Sequence, residues 1–193
     1  MKNVLIDYIS RFMTLTEDEA SAILNLDLFK QFKKGSILLR EGECSNEGYF
    51  VIKGCIRCYY CINGEEKTTA FYTESESLSP LCSINHKASE YYISCVEDSI
   101  LVVANAEMEK IMFERFPRFE TLCCIISEEL VVTKQAILDE FKTSTPEQRY
   151  LNLVKSRPDL IQRVPQYQLA SFLGMKPESL SRIRKRLALQ VTA

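Results

Sequence analysis

The sequence predicts an α+β fold in which a small β-barrel or sandwich is followed by one long helix and a basic helical module. Short β-forming runs separated by turn residues fill residues 32–103, and apolar residues recur every three to four positions over residues 119–141. Residues 1–142 hold 15 Lys and Arg against 23 Asp and Glu, whereas residues 143–193 hold 9 against 3. An acidic body thus carries a basic C-terminal segment.

Composition excludes several classes of protein. The 193 residues are 46% apolar and 26% charged, which is unlike a disordered or collagen-like chain. No run of about 18 uncharged apolar residues occurs, so we expect a soluble cytoplasmic protein with no membrane partner and with its eight cysteines reduced. Because His86 is the single histidine, two-histidine metal sites within one chain are excluded and a cupin-like metalloenzyme is disfavoured. We expect neither an enzyme nor a cofactor.

The first half of the chain is predicted as one helix followed by strands. Thr16 and Glu19 form a capping box, which predicts a helix N-terminus there. Asn63 and Gly64 separate two β-forming runs, so a type I′ hairpin is expected at this point. The predicted strands are residues 37–39, 49–52, 56–62, 68–72, 91–93 and 100–103, divided by that turn and by Gly35, Gly42, Gly48 and Gly54.

Two helices follow, a short one over residues 106–113 and a long one over residues 119–141. A second apolar set, with Val131 and Val132 among its members, widens the apolar face of the long helix. This width favours packing both on the helix's own barrel and on a partner. A fully buried core helix is the alternative. The residues expected at a dimer interface are Leu122, Ile126, Leu130 and Ile137.

The basic segment opens with a helix capped by Thr145, with Pro146 at the first helical position. Residues 164–187 then divide into two short helices around Gly174, which permits a left-handed turn. Ala170 is small where the two helices cross, and apolar contacts come from Leu169, Leu173, Leu180, Ile183 and Leu187. This spacing is typical of a helix-turn-helix.

The second of these helices has the composition of a DNA recognition helix. Pro177 fits its first position, and Glu178, Arg182 and Arg186 fall four residues apart on its outer face. We expect Glu178, Ser179 and Arg182 to contact bases. The side chains expected to contact phosphates are Lys176, Arg184, Lys185 and Arg186. The alternative is a solvated helix end, where cations are favoured by the helix dipole.

At these residues the chain resembles the Crp/Fnr family of transcription regulators. Residues 32–35, 39–43 and 49–54 are similar to the glycine pattern of the family's β-roll, and residues 175–182 are similar to the start of its recognition helix. Pro177 stands at a third position that is often an arginine in the family, so a different DNA site is expected.

The resemblance implies a cyclic-nucleotide-binding-like β-roll domain at residues 1–118, a dimerisation helix at 119–142 and a DNA-binding helix-turn-helix domain at 143–193. It also implies a homodimer on double-stranded DNA, contact with RNA polymerase and a small-molecule effector of unknown identity. The family's β-hairpin wing is expected to be rudimentary or missing, since six residues follow Leu187.

Binding of cyclic AMP is not expected. The stretch that corresponds to the family's phosphate cassette, residues 73–90, contains no glycine and no arginine. Lys87 is the only cation between residues 68 and 109, and a phosphate site needs close backbone approach and usually a positive charge. Lys87 with backbone N–H groups leaves a different phosphate geometry open.

Cys55, Cys58 and Cys61 have a spacing found in iron–sulfur sites. On a strand, however, the first and last would lie roughly 20 Å apart, so structural thiols are favoured. Reversible oxidation of Cys44, of Cys82 or of the adjacent Cys123 and Cys124 stays open.

The sequence therefore predicts a sequence-specific DNA-binding transcription regulator that does not respond to cyclic AMP. The alternative is a ligand-sensing β-roll protein whose basic helical tail binds a protein partner.

Overall fold

In the computed structural model, which describes residues 2–25 and 28–191, two four-stranded sheets are followed by a series of helices. The elements in chain order are α1 Lys2–Ser10, α2 Glu17–Asn25, β1 Phe29–Phe32, β2 Ile37–Leu39, β3 Glu47–Lys53, β4 Ile56–Ile62, β5 Glu65–Tyr72, β6 Ser77–Leu78, α3 Leu81–Asn85, β7 Tyr92–Cys95, β8 Ser99–Asn105, α4 Ala106–Arg115, α5 Arg118–Thr143, α6 Pro146–Ser156, α7 Pro158–Arg163, α8 Gln166–Phe172 and α9 Pro177–Val191. The predicted α+β class is confirmed.

The sheets combine strands from distant parts of the chain. One sheet has the order β1-β8-β3-β6 and the other the order β2-β7-β4-β5. Within the first sheet, β8 pairs antiparallel with both β1 and β3. Such a non-sequential antiparallel order is that of a jelly-roll-like β-roll, as the sequence predicts.

Strand β3 is buried on both faces. Phe50 and Ile52 pack with Leu28 and Val102, and α1 covers this cluster. Tyr49 and Val51, which alternate with them along the strand, are also buried. An uninterrupted apolar run in the sequence therefore marks a strand with no solvent face.

The predicted strands are found, but one predicted turn is wrong and two further strands are present. Strands β2 and β4 have the predicted bounds, whereas β1 and β6 are not anticipated by the sequence. Gly48 is not a turn residue, as predicted, but lies inside β3 opposite Ala104. It is close to Ser79, whose Oγ would be 3.3 Å from a Cβ at this position, so the glycine serves close packing rather than a turn. The Asn63–Gly64 hairpin is confirmed, with φ angles of 53° and 78°.

The capping box at α2 is confirmed. The backbone N–H of Thr16 donates to Glu19 Oε2 at 2.8 Å, and the N–H of Glu19 donates to Thr16 Oγ1 at 3.2 Å. Glu19 is buried, and Arg118 at the start of α5 donates to both of its carboxylate oxygens at 3.4 Å. The same carboxylate thus caps α2 and binds the start of α5.

The cap predicted at Thr145 is confirmed as well. Its side chain accepts from the backbone N–H of Gln148, and the Gln148 side chain accepts from the N–H of Thr145. Pro146 stands at the first turn of α6, as expected. Helices α1, α3 and α7 are further elements that the sequence analysis does not identify.

The chain divides into two compact units. The first contains the described parts of residues 1–58 together with 71–132, and the second contains residues 59–70 together with the described part of 133–193. In the first, Ile23, Phe119 and Leu122 form a core cluster on which residues of α1 and α4 pack. In the second, Tyr150, Leu153, Leu160, Leu169 and Leu180 are buried. Among the described helices, none is both long and apolar enough to cross a membrane.

Candidate functional site

The turn between α8 and α9 is closed by two backbone hydrogen bonds. The N–H of Met175 donates to the carbonyl of Ala170, and the N–H of Gly174 donates to the carbonyl of Ser171, each at 3.0 Å. This pair of bonds is the Schellman motif, which requires a left-handed residue after the helix. Gly174 supplies it with a φ of +66°. The turn predicted at this glycine is therefore present.

The apolar positions of the two helices face inward. Ala170 and Leu180 have no exposed surface, and Leu169 and Leu173 are also buried. Ile183 and Leu187 are half-buried. A side chain larger than alanine at position 170 would have no space, which is the reason a small residue is needed where the helices pack.

The outer face of α9 is polar and exposed. Helix α9 begins at Pro177, and the carbonyl of the preceding Lys176 accepts from the backbone N–H of Leu180. The side chains of Glu178 and Ser179 in its first turn are exposed to solvent. The predicted base-contacting and phosphate-contacting residues are all exposed: Lys176, Glu178, Ser179, Arg182, Arg184, Lys185 and Arg186. Up to residue 191, where the description ends, no strand follows α9.

Arg186 differs from the other cations of this face because it already has an acidic partner. Its Nη2 lies 2.5 Å from Glu147 Oε2 on α6. A phosphate at this position would have to compete with the Glu147 carboxylate. The sequence analysis did not identify this ion pair, since the two residues are far apart in the chain.

The tip of the β4–β5 hairpin belongs to the same unit as α8 and α9. Ser171 Oγ on α8 accepts from the backbone N–H of Thr68 at 2.9 Å and donates to the carbonyl of Glu66 at 3.0 Å. A hydrogen bond from Lys67 holds the pKa of Glu65 below its usual value, and the charge of Lys176 lowers it further. The hairpin therefore contacts the helix before the turn and places a carboxylate near the start of α9.

The end of α5 packs at the turn of the same unit. The guanidinium carbon of Arg149 lies 4.2 Å from the centre of the Phe141 ring, a cation–π arrangement. A Cβ built at Gly174 would lie 2.9 Å from Phe141 Cζ and 3.0 Å from Arg149 Nη1. Gly174 is thus required by space as well as by its φ angle.

Helix α5 carries an exposed apolar surface. Ile137 is 50% exposed, and Ile126 and Leu130 are half-buried. Leu122, predicted for the interface, is instead 6% exposed and belongs to the core of its own chain. Further exposed apolar side chains on this helix are Ile125, Val131, Val132, Leu138 and Phe141.

Residues 73–90, in which the sequence analysis expects the counterpart of a phosphate cassette, form β6, the five-residue helix α3 and the flanking loops. The backbone N–H of Leu81 at the start of α3 donates to the hydroxyl of Tyr91 at 3.0 Å. His86 is exposed and ends α3 in the left-handed region. Two open cavities, of about 490 and 170 Å³, are lined by residues outside this segment.

The three cysteines with an iron–sulfur-like spacing follow the course of β4. Cys55 is buried directly before the strand, Cys58 is buried within it, and Cys61 is exposed near its end. Among the residues that the structure describes, no group of three His, Cys, Asp or Glu side chains is placed to hold a metal ion.

Comparison with known proteins agrees with this architecture. Residues 29–115 match the family described as the cyclic nucleotide-binding domain. No curated protein sequence matches the chain. The fold is similar to that of the c-di-GMP responsive global regulator CLP of Xanthomonas campestris, with a TM-score of 0.64 and 16% identity, covering 84% of this chain and 86% of CLP.

Two further solved structures have the same fold. The catabolite activator protein of Thermus thermophilus has a TM-score of 0.52 and 19% identity, covering 93% of this chain and 86% of its own. FixK2 of Bradyrhizobium japonicum has a TM-score of 0.61 and 16% identity, covering 84% of each chain. Residues 29–115 thus match the cyclic nucleotide-binding domain, and the chain shares the fold of these three solved structures.

Proposed function

We propose that this protein is a transcription regulator, not an enzyme, that binds double-stranded DNA in a sequence-specific manner through α9. The observation that carries the proposal is the division of α9 into two faces. Leu180 is fully buried while Glu178 and Arg182 on the opposite side are exposed. A recognition helix needs this division, since one face must hold the helix to its domain while the other enters the major groove.

The first turns of α9 carry the base contacts. Arginine pairs bidentately with guanine, and glutamate accepts from the amino group of cytosine, so Arg182 and Glu178 supply complementary readouts. Ser179 adds a hydroxyl that is both donor and acceptor. All three side chains are exposed on the N-terminal half of α9.

Phosphate contacts come from the cations around these readers. Lys176 precedes α9, and Arg184 and Lys185 lie about two turns beyond its first residue. Each cation that meets a phosphate releases counterions and steepens the salt dependence of binding by about one unit. Arg186 contributes less than its charge suggests, because Glu147 already neutralises it.

The active form is a homodimer joined through α5. The Ile137 side chain is half-exposed on α5. Contact with the same helix of a second copy would bury such apolar side chains, and this burial would stabilise the dimer. Two recognition helices would then contact half-sites about one helical turn of DNA apart. CLP, which shares this fold, is described as linking cell-cell signaling to virulence gene expression. A regulator of transcription acts on RNA polymerase, so RNA polymerase is included as a further partner in this proposal.

Cyclic AMP is not the effector of this regulator. Residues 73–90 supply no arginine and no glycine to a cyclic phosphate, and Lys87 is their only lysine. Isothermal titration of the purified protein with cyclic AMP should give no heat of binding, whereas a micromolar dissociation constant would contradict this assignment.

Selection of bound sequences from a random duplex pool tests the proposal, at about 0.15 M salt so that non-specific attraction is reduced. The expected product is a two-fold symmetric motif. Failure to recover any motif, with binding that depends neither on salt nor on sequence, would favour the alternative in which the basic helices bind a protein partner.

Matched variants separate specific from general effects. Arg182→Ala should relax sequence preference at one position of the motif, with a cost of about 1–3 kcal/mol for the preferred base pair. Lys155→Ala removes the same charge from an exposed position on α6 and should leave the preference unchanged. An Arg182→Ala protein with the wild-type motif would show that α9 does not read bases through this residue.

The dimer is tested by Ile137→Glu, which places a charge on the predicted interface. Gln135 lies about 200° around the helix from Ile137, so Gln135→Lys is a control for added charge. Sedimentation should show monomers for Ile137→Glu alone. A wild-type protein that is monomeric at micromolar concentration would refute the dimer.

A further inference from the structure

Two thiols that are distant in sequence lie together in the first unit. Cys44 is in the loop between β2 and β3, and Cys82 is in the first turn of α3. The Cys44 thiol donates to the carbonyl of Cys82 at 3.5 Å.

The Cys82 sulfur is fixed by the loop that carries Cys44. It accepts from the backbone N–H of Ser45 at 3.3 Å and donates to the carbonyl of Ser45 at 3.4 Å. Together with the bond from the Cys44 thiol, these bonds tie the segment of residues 44–45 to Cys82. A disulfide requires its two cysteines to be close neighbours, and these contacts bring the two residues together.

The two thiols differ in access to solvent. Cys44 is exposed, whereas Cys82 is 2% exposed. An exposed cysteine can meet an oxidant, and a buried neighbour can then react with the oxidised sulfur before over-oxidation occurs. Of the other thiols, Cys55, Cys58 and Cys95 are buried, and Cys61, Cys123 and Cys124 are exposed.

We propose that Cys44 and Cys82 form a reversible intramolecular disulfide when the protein meets a hydroperoxide. The Cys44 thiolate attacks the terminal oxygen of the hydroperoxide, and an S–O bond forms as the O–O bond breaks. The sulfur becomes a sulfenic acid, and the released hydroxide or alkoxide leaves as water or an alcohol after taking a proton. The Cys82 thiolate then attacks the Cys44 sulfur, the S–O bond breaks, and the hydroxide leaves as water after protonation. A dithiol reductant returns both thiols.

The contact between Cys44 and Cys82, rather than a low pKa of the Cys44 thiol, favours this reaction. Partial desolvation of the sulfur, and then the neighbouring Cys82 thiol, raise the pKa of the Cys44 thiol, so the thiolate is a minor form at neutral pH. The reaction is accordingly expected to be slow compared with that of dedicated peroxide sensors. The adjacent thiol directs the oxidised sulfur toward the disulfide.

The disulfide would join α3 to the β2–β3 loop. Because α3 lies in residues 73–90, the link would restrain the segment that corresponds to the family's phosphate cassette. It would also replace the S–H donors that now bind the carbonyls of Cys82 and Ser45. This modification is independent of the proposed function, since it needs neither DNA nor a dimer.

The experiment uses the full chain, reduced and then exposed to hydrogen peroxide, blocked with N-ethylmaleimide and analysed by intact mass and peptide mapping. The expected product has lost two hydrogens, gives a peptide that joins Cys44 to Cys82, and returns to the reduced mass with dithiothreitol. Its melting temperature should rise by roughly 5–10 °C, because the link closes a long loop of the unfolded chain.

Two variants make the result specific. Cys44→Ser changes an exposed residue, so it should fold normally and yield no linked peptide. Cys61→Ser removes another exposed thiol and should still give the linked peptide. The proposal is overturned if wild-type protein accumulates sulfinic acid at Cys44 without the link, or if oxidation occurs only at Cys61, Cys123 or Cys124.

Discussion

Replacement of Gly174 by alanine tests whether the turn between α8 and α9 depends on both backbone conformation and space. The residue has a φ of +66°, in the left-handed region that L side chains rarely adopt. The new Cβ would also lie 2.9 Å from Phe141 Cζ and 3.0 Å from Arg149 Nη1. We therefore expect two separate losses of stability, one from the backbone conformation and one from the steric clash.

The magnitudes follow from these contacts. A non-glycine residue in the left-handed region costs about 1–2 kcal/mol. The collision adds about 1 kcal/mol, at the low end of overpacking costs, since the ring tip and the guanidinium can move but must weaken their stacking to do so. Gly174→Ala should thus lower the free energy of unfolding by about 2–3 kcal/mol.

Gly64→Ala is the matched control. Gly64 belongs to the same unit and has a φ of +78°, yet a Cβ there would meet no atom within 4 Å. It should show the conformational cost alone. In urea unfolding followed by far-UV circular dichroism, the midpoint of Gly174→Ala should fall about 0.5 M below that of Gly64→Ala for a slope near 2 kcal/mol per molar.

The collision is isolated in a double variant. In a Phe141→Ala background, where the ring is gone and Arg149 can move, Gly174→Ala should cost no more than Gly64→Ala does. Equal midpoints for the two single glycine variants in the wild-type background would refute the packing part of this reasoning. An unchanged midpoint for Gly174→Ala would refute both parts.

Three further outcomes are expected. Ser171→Ala should cost about 1–2 kcal/mol and speed hydrogen exchange at the Thr68 amide, which loses its acceptor; unchanged exchange would mean that the hairpin contact does not persist in solution. Glu147→Gln should tighten DNA binding about two- to fivefold at low salt by freeing Arg186, and no change would show that this cation does not meet phosphate. A backbone N–H and a lysine ammonium hold the pKa of Asp98 below its usual value, so this carboxylate stabilises the fold above its unfolded pKa of about 4 and less as the pH falls further. The free energy of unfolding of Asp98→Asn should accordingly fall less steeply than that of the wild type as the pH drops below about 4. Identical pH dependence of the two proteins would exclude this contribution.

Local signals in the sequence predicted local structure well. The capping box of Thr16 and Glu19, the Asn63–Gly64 hairpin and the turn at Gly174 each depend on residues within a few positions of one another. Backbone sterics and short-range hydrogen bonds decide such features, so they can be identified without knowing the rest of the fold. The prediction for Gly48 was wrong because the sequence around a glycine in a strand can look like the sequence around a glycine in a turn. The reason for this glycine is its close contact with Ser79, which is distant in the sequence.

Features that depend on long-range contacts could not be predicted in this way. Leu122 has the spacing of an interface residue, but α1 and α2 supply it with partners inside its own chain. The Cys44–Cys82 contact and the ion pair of Arg186 with Glu147 join residues 38 and 39 positions apart, and neither leaves a periodic pattern in the sequence. The resemblance to a family supplied the order of the modules, but not these contacts.

Two segments that continue from the first unit make contacts inside the second unit, near the proposed recognition helix α9. These segments are the β4–β5 hairpin and α5, each of which belongs in part to both units. The first meets α8 through Ser171, and the second meets the turn through Phe141 at Gly174. An effector can alter DNA affinity only by changing the relative free energy of states in which these contacts differ. Ser171→Ala and Phe141→Ala should therefore change the response to any effector more than they change the affinity of the effector for its own site.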